Sequence, residues 1–219
     1  MKCRAEYTKL GMIRYISHLD LVRLFERALE RGKIPVLYSD GYNPHPKFSL
    51  GNPLSLGVES ESEFLEIQLE DDYPPENLAK DLNPHLPQGI QIKNILTDFP
   101  KKSIQQSVAS CLYVFDLPDD QVNLAQVFET FTDFPILRRR KKGRKKIIVE
   151  ENAMDWIYSL RQEGSTLYGH FSSQEGKTLR PDSFLKAFDK KYPLGWDLDE
   201  VNVKRVINYD PEGREFHGK

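Results

Sequence analysis

Cysteine is almost missing from this chain, with Cys3 and Cys111 the only two in 219 residues. That excludes a zinc module built on four cysteines, and the wide spacing argues against one built on a cysteine pair plus a histidine pair. It also excludes an iron–sulfur cluster held by three cysteines of this chain. Both residues sit in apolar, strand-like runs, so two buried free thiols are expected rather than a disulfide. Long apolar runs are absent too. No stretch approaches the eighteen or more residues that a membrane-spanning helix needs, so no membrane partner is expected. The opening Met1-Lys2-Cys3-Arg4-Ala5-Glu6 mixes both charge signs and lacks the apolar core of a secretory signal, which points to the cytoplasm. A dominant charge sign is also lacking. The 31 Lys and Arg against 33 Asp and Glu give a net charge of −2, which excludes a global basic field.

What is present is a locally segregated pattern. Cys3, Ala5 and Tyr7 alternate with Arg4, Glu6 and Thr8, which predicts a strand with one buried face. Gly11 permits a bend, and Ile13 to Ile16 reads as extended. Ser17 is a suitable N-cap, with Asp20 three residues on as a variant capping box. Leu21, Leu24, Phe25, Ala28 and Leu29 then form a helical apolar stripe that Gly32 ends. Short strands are expected at 36–38, 48–50, 64–69 and 90–95, with a helix over 74–82 opened by Pro74-Pro75. Residues 97–107 read as a polar linker. A second series follows: a strand at 111–115, a helix through Leu124, Val127, Phe128 and Phe131, a hairpin from Pro135 to Val149, a strand at 167–171, a helix from Pro181, and a strand at 201–207. The fold class expected is α+β, with two tandem ferredoxin-like (βαββαβ) units. The domains are then 1–100 and 106–209, followed by a flexible polar tail at 210–219. The duplication rests on element order alone.

Three polar clusters are candidates for function. His18 lies beside a helix start, where free backbone N–H groups attract anions. Arg23, Arg27 and Arg31 recur every four residues along one face, suited either to bidentate anion contacts or to local pairing with Asp20, Glu26 and Glu30. Gly41-Tyr42-Asn43-Pro44-His45-Pro46 brackets a histidine with prolines. Such a loop can present a general acid–base or simply satisfy its own backbone. Glu59, Glu61, Glu63 and Glu66 could pair with the arginines or share a metal with His18 and His45, but no spacing signature supports a metal site, so neither metal nor cofactor is assigned. The third cluster is Arg138, Arg139, Arg140, Lys141, Lys142, Arg144, Lys145 and Lys146, broken only by Gly143. Cations so crowded project into solvent or meet a polyanion, and nucleic-acid backbone is the natural partner.

Several of these segments together resemble a known family. Ile13-Arg14-Tyr15-Ile16-Ser17-His18-Leu19-Asp20-Leu21 with Arg23 and Arg27, Ser39-Asp40-Gly41-Tyr42-Asn43-Pro44-His45-Pro46-Lys47, and Pro53-Leu54-Ser55-Leu56-Gly57-Val58-Glu59-Ser60 with Glu63 resemble the bacterial radical-SAM-associated (radical-SAM-linked) domain of unknown function. The likeness is dense over residues 1–70 and looser beyond, where Arg180-Pro181 and the final strand fit. The resemblance implies association with a radical S-adenosylmethionine protein that carries a cobalamin-binding region. This chain begins at the domain and lacks the CxxxCxxC motif, so any cluster or cobalamin chemistry belongs to that partner.

The expected function is an accessory protein that binds RNA or a nucleotide phosphate and works with a separate radical-SAM/cobalamin partner. His18, Asp20, Arg23, Arg27, Tyr42, Asn43 and His45 would form one binding site, and the basic hairpin would add backbone affinity. The alternative is an RNA-processing or RNA-modifying enzyme with His18 and His45 as acid–base candidates. A scaffold that merely docks on the radical enzyme is a third reading.

Overall fold

The computed structural model describes residues 1–143 and 145–217. The first half runs β1 (Lys2–Lys9), a 3₁₀ turn at Gly11–Tyr15, α1 (His18–Arg31), β2 (Phe48–Leu50), β3 (Glu59–Gln68), α2 (Leu78–Leu82) and β4 (Ile92–Leu96). The second half runs α3 (Ile104–Ser107), β5 (Ser110–Asp116), α4 (Leu124–Glu129), β6 (Pro135–Lys142), β7 (Lys145–Asn152), β8 (Ile157–Glu163), β9 (Thr166–Ser172), α5 (Pro181–Lys191) and β10 (Asn202–Tyr209). The architecture is mixed α+β, with few helices against a mostly antiparallel sheet. That sheet has eight strands in the order β4-β1-β3-β10-β5-β9-β8, and β2 also pairs with β3. All its pairings are antiparallel except a short parallel one, Lys204 opposite Glu59 and Arg205 opposite Ser60, where β10 meets β3. β6 and β7 form a separate two-stranded sheet.

Local chemistry accounts for most of these elements. At the start of α1, the Ser17 hydroxyl accepts from the Asp20 backbone N–H (3.2 Å) and donates to the Asp20 carboxylate (2.6 Å). Leu21, Phe25, Ala28 and Leu29 then face the sheet, with Phe25 edge-on to Tyr7 at 5.0 Å. A buried side chain of this size contributes roughly 1.5–3 kcal/mol. Gly32 ends the helix in ordinary right-handed geometry, and Lys33 takes the positive φ of 50°. Gly32 relieves a crowded position, since a Cβ there would sit 3.1 Å from the His85 ring and 3.2 Å from the Ala28 carbonyl.

Buried residues fall into two clusters, one under α1 and one around the phenylalanines of the second half. β3 serves both. Leu65 and Ile67 point to the first cluster. Phe64, out of phase with them, joins the second and packs on Phe216 at 4.8 Å. The segment read from sequence as a polar tail thus returns to β10, with the Phe216 N–H donating to the Asn208 carbonyl.

Several expectations need correction. Gly11–Tyr15 is a 3₁₀ turn, not extended. β1 is buried on both faces, because residues 97–107 do not hang free. Arg4 lies 4.3 Å over the Phe99 ring and donates to the Lys102 carbonyl. The Ser103/Gln106 capping box starts α3, which buries Ile104. β8 was not expected. It takes the place beside β9, whereas the 135–149 hairpin stays outside the main sheet.

Candidate functional site

The predicted cluster at the first helix is distributed over α1 rather than gathered in one pocket. Asp20, Arg23 and Arg27 do share an open groove, completed by Arg31 and the Pro84–Pro87 turn, where Arg31 donates to the His85 carbonyl at 2.7 Å. Arg23 is held by Asp20 at 3.2 Å. The Ser17 hydroxyl and Arg23 keep the Asp20 carboxyl below its usual range. His18 faces elsewhere, over a small pocket with Tyr7, Lys9 and Glu63 at its base. His45 lies beside Glu26, its Nδ1 3.9 Å from the carboxylate, and its backbone N–H is held by the Ser39 hydroxyl at 3.0 Å. Tyr42 and Asn43 stand in solvent at the loop tip.

Helix geometry separates the members that lie on α1, and the 41–46 loop adds His45 at Glu26 rather than at His18. Glu26 is eight residues beyond His18, about 12 Å along the axis and about 80° around it, and Arg27 points about 180° away from His18. Among the described residues no hydrogen bond or ion pair joins His18 to His45, Arg23 or Arg27. The four glutamates are likewise committed to cations on neighbouring elements: Glu59 to Arg14 (3.7 Å), Glu61 to Lys204 (3.1 Å), Glu63 to Arg205 (2.9 Å) and Glu66 to Arg4 (3.1 Å). No group of three His, Cys, Asp or Glu side chains among the described residues converges as a metal site. Nor is any described helix long and apolar enough to cross a membrane.

The basic element is a regular two-stranded hairpin. Its base is anchored: the Phe134 N–H donates to Asn152, the Ala153 N–H to the Phe134 carbonyl, and Ile136 is buried. Phe134 stacks on Phe131 and Phe184. Cross-strand partners share a face, so Arg138, Arg140 and Glu151 lie on one side and Leu137, Arg139, Lys146 and Ile148 on the other. On the first side, Arg138 (3.2 Å) and Arg140 (2.6 Å) share the single carboxylate of Glu151, with Arg138 also over the Trp156 ring. On the second, Arg139 and Lys146 are exposed beside the equally exposed Leu137 and Ile148. Lys145 is exposed as well. Arg139, Lys145 and Lys146 have no ion-pair partner among the described residues. Lys141 and Lys142 continue the strand, and Arg144 lies outside the described residues.

Two features were not anticipated. The first is a buried polar network at the β3–β10 seam. Arg205 pairs with Glu63 and donates to the Tyr113 hydroxyl through Nε (3.3 Å) and Nη2 (3.0 Å). Burial alone would push the Arg205 pKa down, but Glu63, Tyr113 and Cys111 together outweigh it and hold the guanidinium firmly charged. Nearby Lys9, almost wholly enclosed, donates to the Arg14 and Ile16 carbonyls, and its pKa falls chiefly because it is buried. The second is a cleft of about 550 Å³ where the halves meet, with Arg14, Tyr15 and the 55–58 loop on one side and α5 and the start of β10 on the other. Its signal in the sequence was the order of the quoted segments: Arg14-Tyr15, Ser55-Leu56-Gly57-Val58 and Arg180 are remote in the chain and adjacent here.

The family model described as an uncharacterized protein conserved in bacteria (DUF2344) matches residues 2–181, so the chain belongs to that family. The description names no activity, ligand or partner. No curated protein matches the chain.

Proposed function

We propose that this member of an uncharacterized bacterial family is a nucleic-acid-binding accessory protein, with RNA as its first candidate ligand. The observation that carries the reading is the β6–β7 hairpin. It is a separate sheet whose described cations outnumber its two carboxylates, Glu151 on Arg138 and Arg140 and Glu150 beside Lys190 of α5, and whose outward side pairs Arg139 and Lys146 with exposed Leu137 and Ile148. Such a face offers phosphate contacts and apolar surface for bases side by side. A merely solvated hairpin would gain nothing from exposed Leu137 and Ile148.

The groove of Arg23, Arg27 and Arg31 is a second, smaller candidate for phosphate contact. A shared His18/His45 acid–base pair is not favoured, because His45 lies beside Glu26, about 12 Å along α1 from His18, and proton-transfer partners need hydrogen-bond reach. On this reading the protein is cytoplasmic, and a separate radical-SAM protein with a cobalamin-binding region performs the chemistry. The scaffold would be two ferredoxin-like units, 1–100 and 106–209, with Phe216 of the segment after β10 packed back on Phe64. In support, each half orders its strands last-first-third-second, β4-β1-β3-β2 and β10-β5-β9-β8, leaving the basic hairpin as an insertion in the second.

The test is fluorescence anisotropy of a labelled single-stranded oligonucleotide over a salt series. Serine at Arg139, Lys145 and Lys146 together should weaken binding at low salt and reduce the slope of log K against log salt by about 2, since each single-strand phosphate contact contributes roughly 0.7. An unchanged slope overturns the proposal. The partner is tested separately, by co-purification from bacterial cells: recovery of no protein carrying a CxxxCxxC motif and a cobalamin-binding region removes that element.

A further inference from the structure

The hairpin groove and the central cleft share one residue. Arg180 lines the groove between the hairpin and the start of α5, together with Leu137, Arg139 and Ile148. It also lines the cleft between the halves, together with Arg14, Tyr15 and Lys186. A basic path thus runs from the hairpin across Arg180 into the cleft. Along it the chemistry changes. The hairpin offers an open platform, whereas the cleft is a concave site with an apolar floor of Val58, Leu185 and Val203 and a polar rim. Its volume falls in the range that encloses small organic ligands.

We infer that the cleft receives one nucleotide of a single-stranded polynucleotide whose neighbouring backbone lies on the hairpin. Tyr15 stands half exposed at the rim with the Arg14 guanidinium 4.9 Å from its ring centroid, so a base would stack on the face turned away from Arg14. Arg14, Arg180 and Lys186 supply charge for the adjoining phosphates. Lys186 has no ion-pair partner among the described residues. Arg14 donates to Asn202 (3.1 Å) and to the Tyr15 hydroxyl (2.9 Å), while its Nε is buried without a hydrogen-bond partner. The guanidinium therefore has a donor that a phosphate oxygen would satisfy once Arg14 turns into the cleft. Acids share the rim: Asp182 is occupied by the Ser55 hydroxyl (2.8 Å) and Arg180 (3.4 Å), Glu59 pairs with Arg14 (3.7 Å), and Asp199 lines the cleft as well, which leaves Lys186 as the cation most open to a phosphate. A duplex does not fit the same path, because its bases are stacked inside and cannot enter a concave site singly.

This inference deepens the nucleic-acid reading and rests on it. The test uses the full chain with labelled 12-mers of single-stranded RNA, single-stranded DNA and duplex RNA. Three proteins are compared: wild type, Tyr15→Ala with Lys186→Ser, and Arg139→Ser with Lys146→Ser. Circular dichroism and urea midpoints confirm folding, and Tyr15→Phe retains the ring. The cleft variant should lose roughly tenfold or more in single-strand affinity, in line with removal of one base–aromatic stack. Its duplex binding should be unchanged, and Tyr15→Phe should bind as wild type. A loss for RNA but not DNA would identify the strand as RNA, and equal losses would identify a site blind to the sugar. If the hairpin variant loses affinity and the cleft variant does not, the cleft inference falls and the nucleic-acid reading stands. If neither variant changes binding, or wild type binds no strand, both fall.

Discussion

Replacing Glu63 by glutamine removes the carboxylate opposite Arg205 while nearly preserving shape, and the structure says what that should cost. Both side chains are 6% exposed and 2.9 Å apart. At that distance, with an effective dielectric constant near 20, their attraction is about 6 kcal/mol. Desolvating the two charges offsets part of it, and breaking a buried pair from one side generally costs about 3–5 kcal/mol. The Tyr113 hydroxyl still accepts two N–H groups of Arg205 after the change. That places the expected loss near the lower end, about 3 kcal/mol. Lys9 worsens matters, because Glu63 supports its charge while Arg205 opposes it. Without Glu63 two enclosed cations face each other.

Urea unfolding followed by circular dichroism measures the effect. With a denaturant slope of about 3 kcal/mol per molar for a chain of this size, Glu63→Gln should lower the midpoint by about 1 M. The double variant Glu63→Met with Arg205→Met should regain most of the loss, because no unpaired charge remains at that pair. A midpoint for Glu63→Gln within about 0.2 M of wild type, well under 1 kcal/mol by the same slope, would refute the reasoning. So would a double variant less stable than the single one, since the pair would then owe its contribution to packing rather than charge.

Three further outcomes follow from other parts of the molecule. Burial pushes the Cys3 pKa to about 12 and raises that of Cys111. Cys3 at pH 8 should then be thiolate in about one molecule in ten thousand, and neither thiol should react with a colorimetric disulfide reagent until denaturant is added. Phe134→Ala removes a fully buried ring packed against Phe128, Phe131, Phe184 and Phe188, and should cost about 3–5 kcal/mol in urea unfolding, loosening the hairpin from α5 as it does so. Desolvation lowers the His170 pKa, so the unfolded chain takes up this proton first as pH falls. Stability should therefore be lost below about pH 6.5, continuing until the folded-state value is passed, and His170→Gln should flatten that part of the pH–stability curve.

The elements with a strong local signal were legible in the sequence. Ser17 and the Leu21-to-Leu29 stripe announce α1, Pro181 announces α5, and the continuous apolar run at 111–115 announces β5. The misses share a physical cause. Residues 97–107 look like a linker because their contribution is made by Phe99, Ile104 and a backbone carbonyl acting on Arg4, nearly a hundred positions away. β8 has polar residues at both Ser159 and Gln162, and its place comes from pairing with β9 rather than from its own pattern. For the candidate site, residue types were informative and their grouping was not. Histidines at 18 and 45 look like partners in a motif. Once α1 is a helix, the rotation of 100° per residue carries their surroundings apart.

The seam itself explains why a cleft can be held open between two separately packed cores. β3 and β10 share only a two-residue parallel register, too little backbone pairing to fix one half on the other. The join is completed by polar side chains: Lys204 with Glu61, Arg205 with Glu63, and Asn208 donating to the Ser62 carbonyl at 2.6 Å. An apolar seam of the same area would tolerate sliding, because apolar contacts are non-directional. A slip of one residue here would turn Arg205 to the opposite face and leave Glu63 buried without its partner. Contacts across the cleft, Arg14 to Asn202 and Ser55 to Asp182, depend on the same register. The buried charges thus cost desolvation at the seam and, in return, set the distance between Tyr15 on one half and Arg180 on the other.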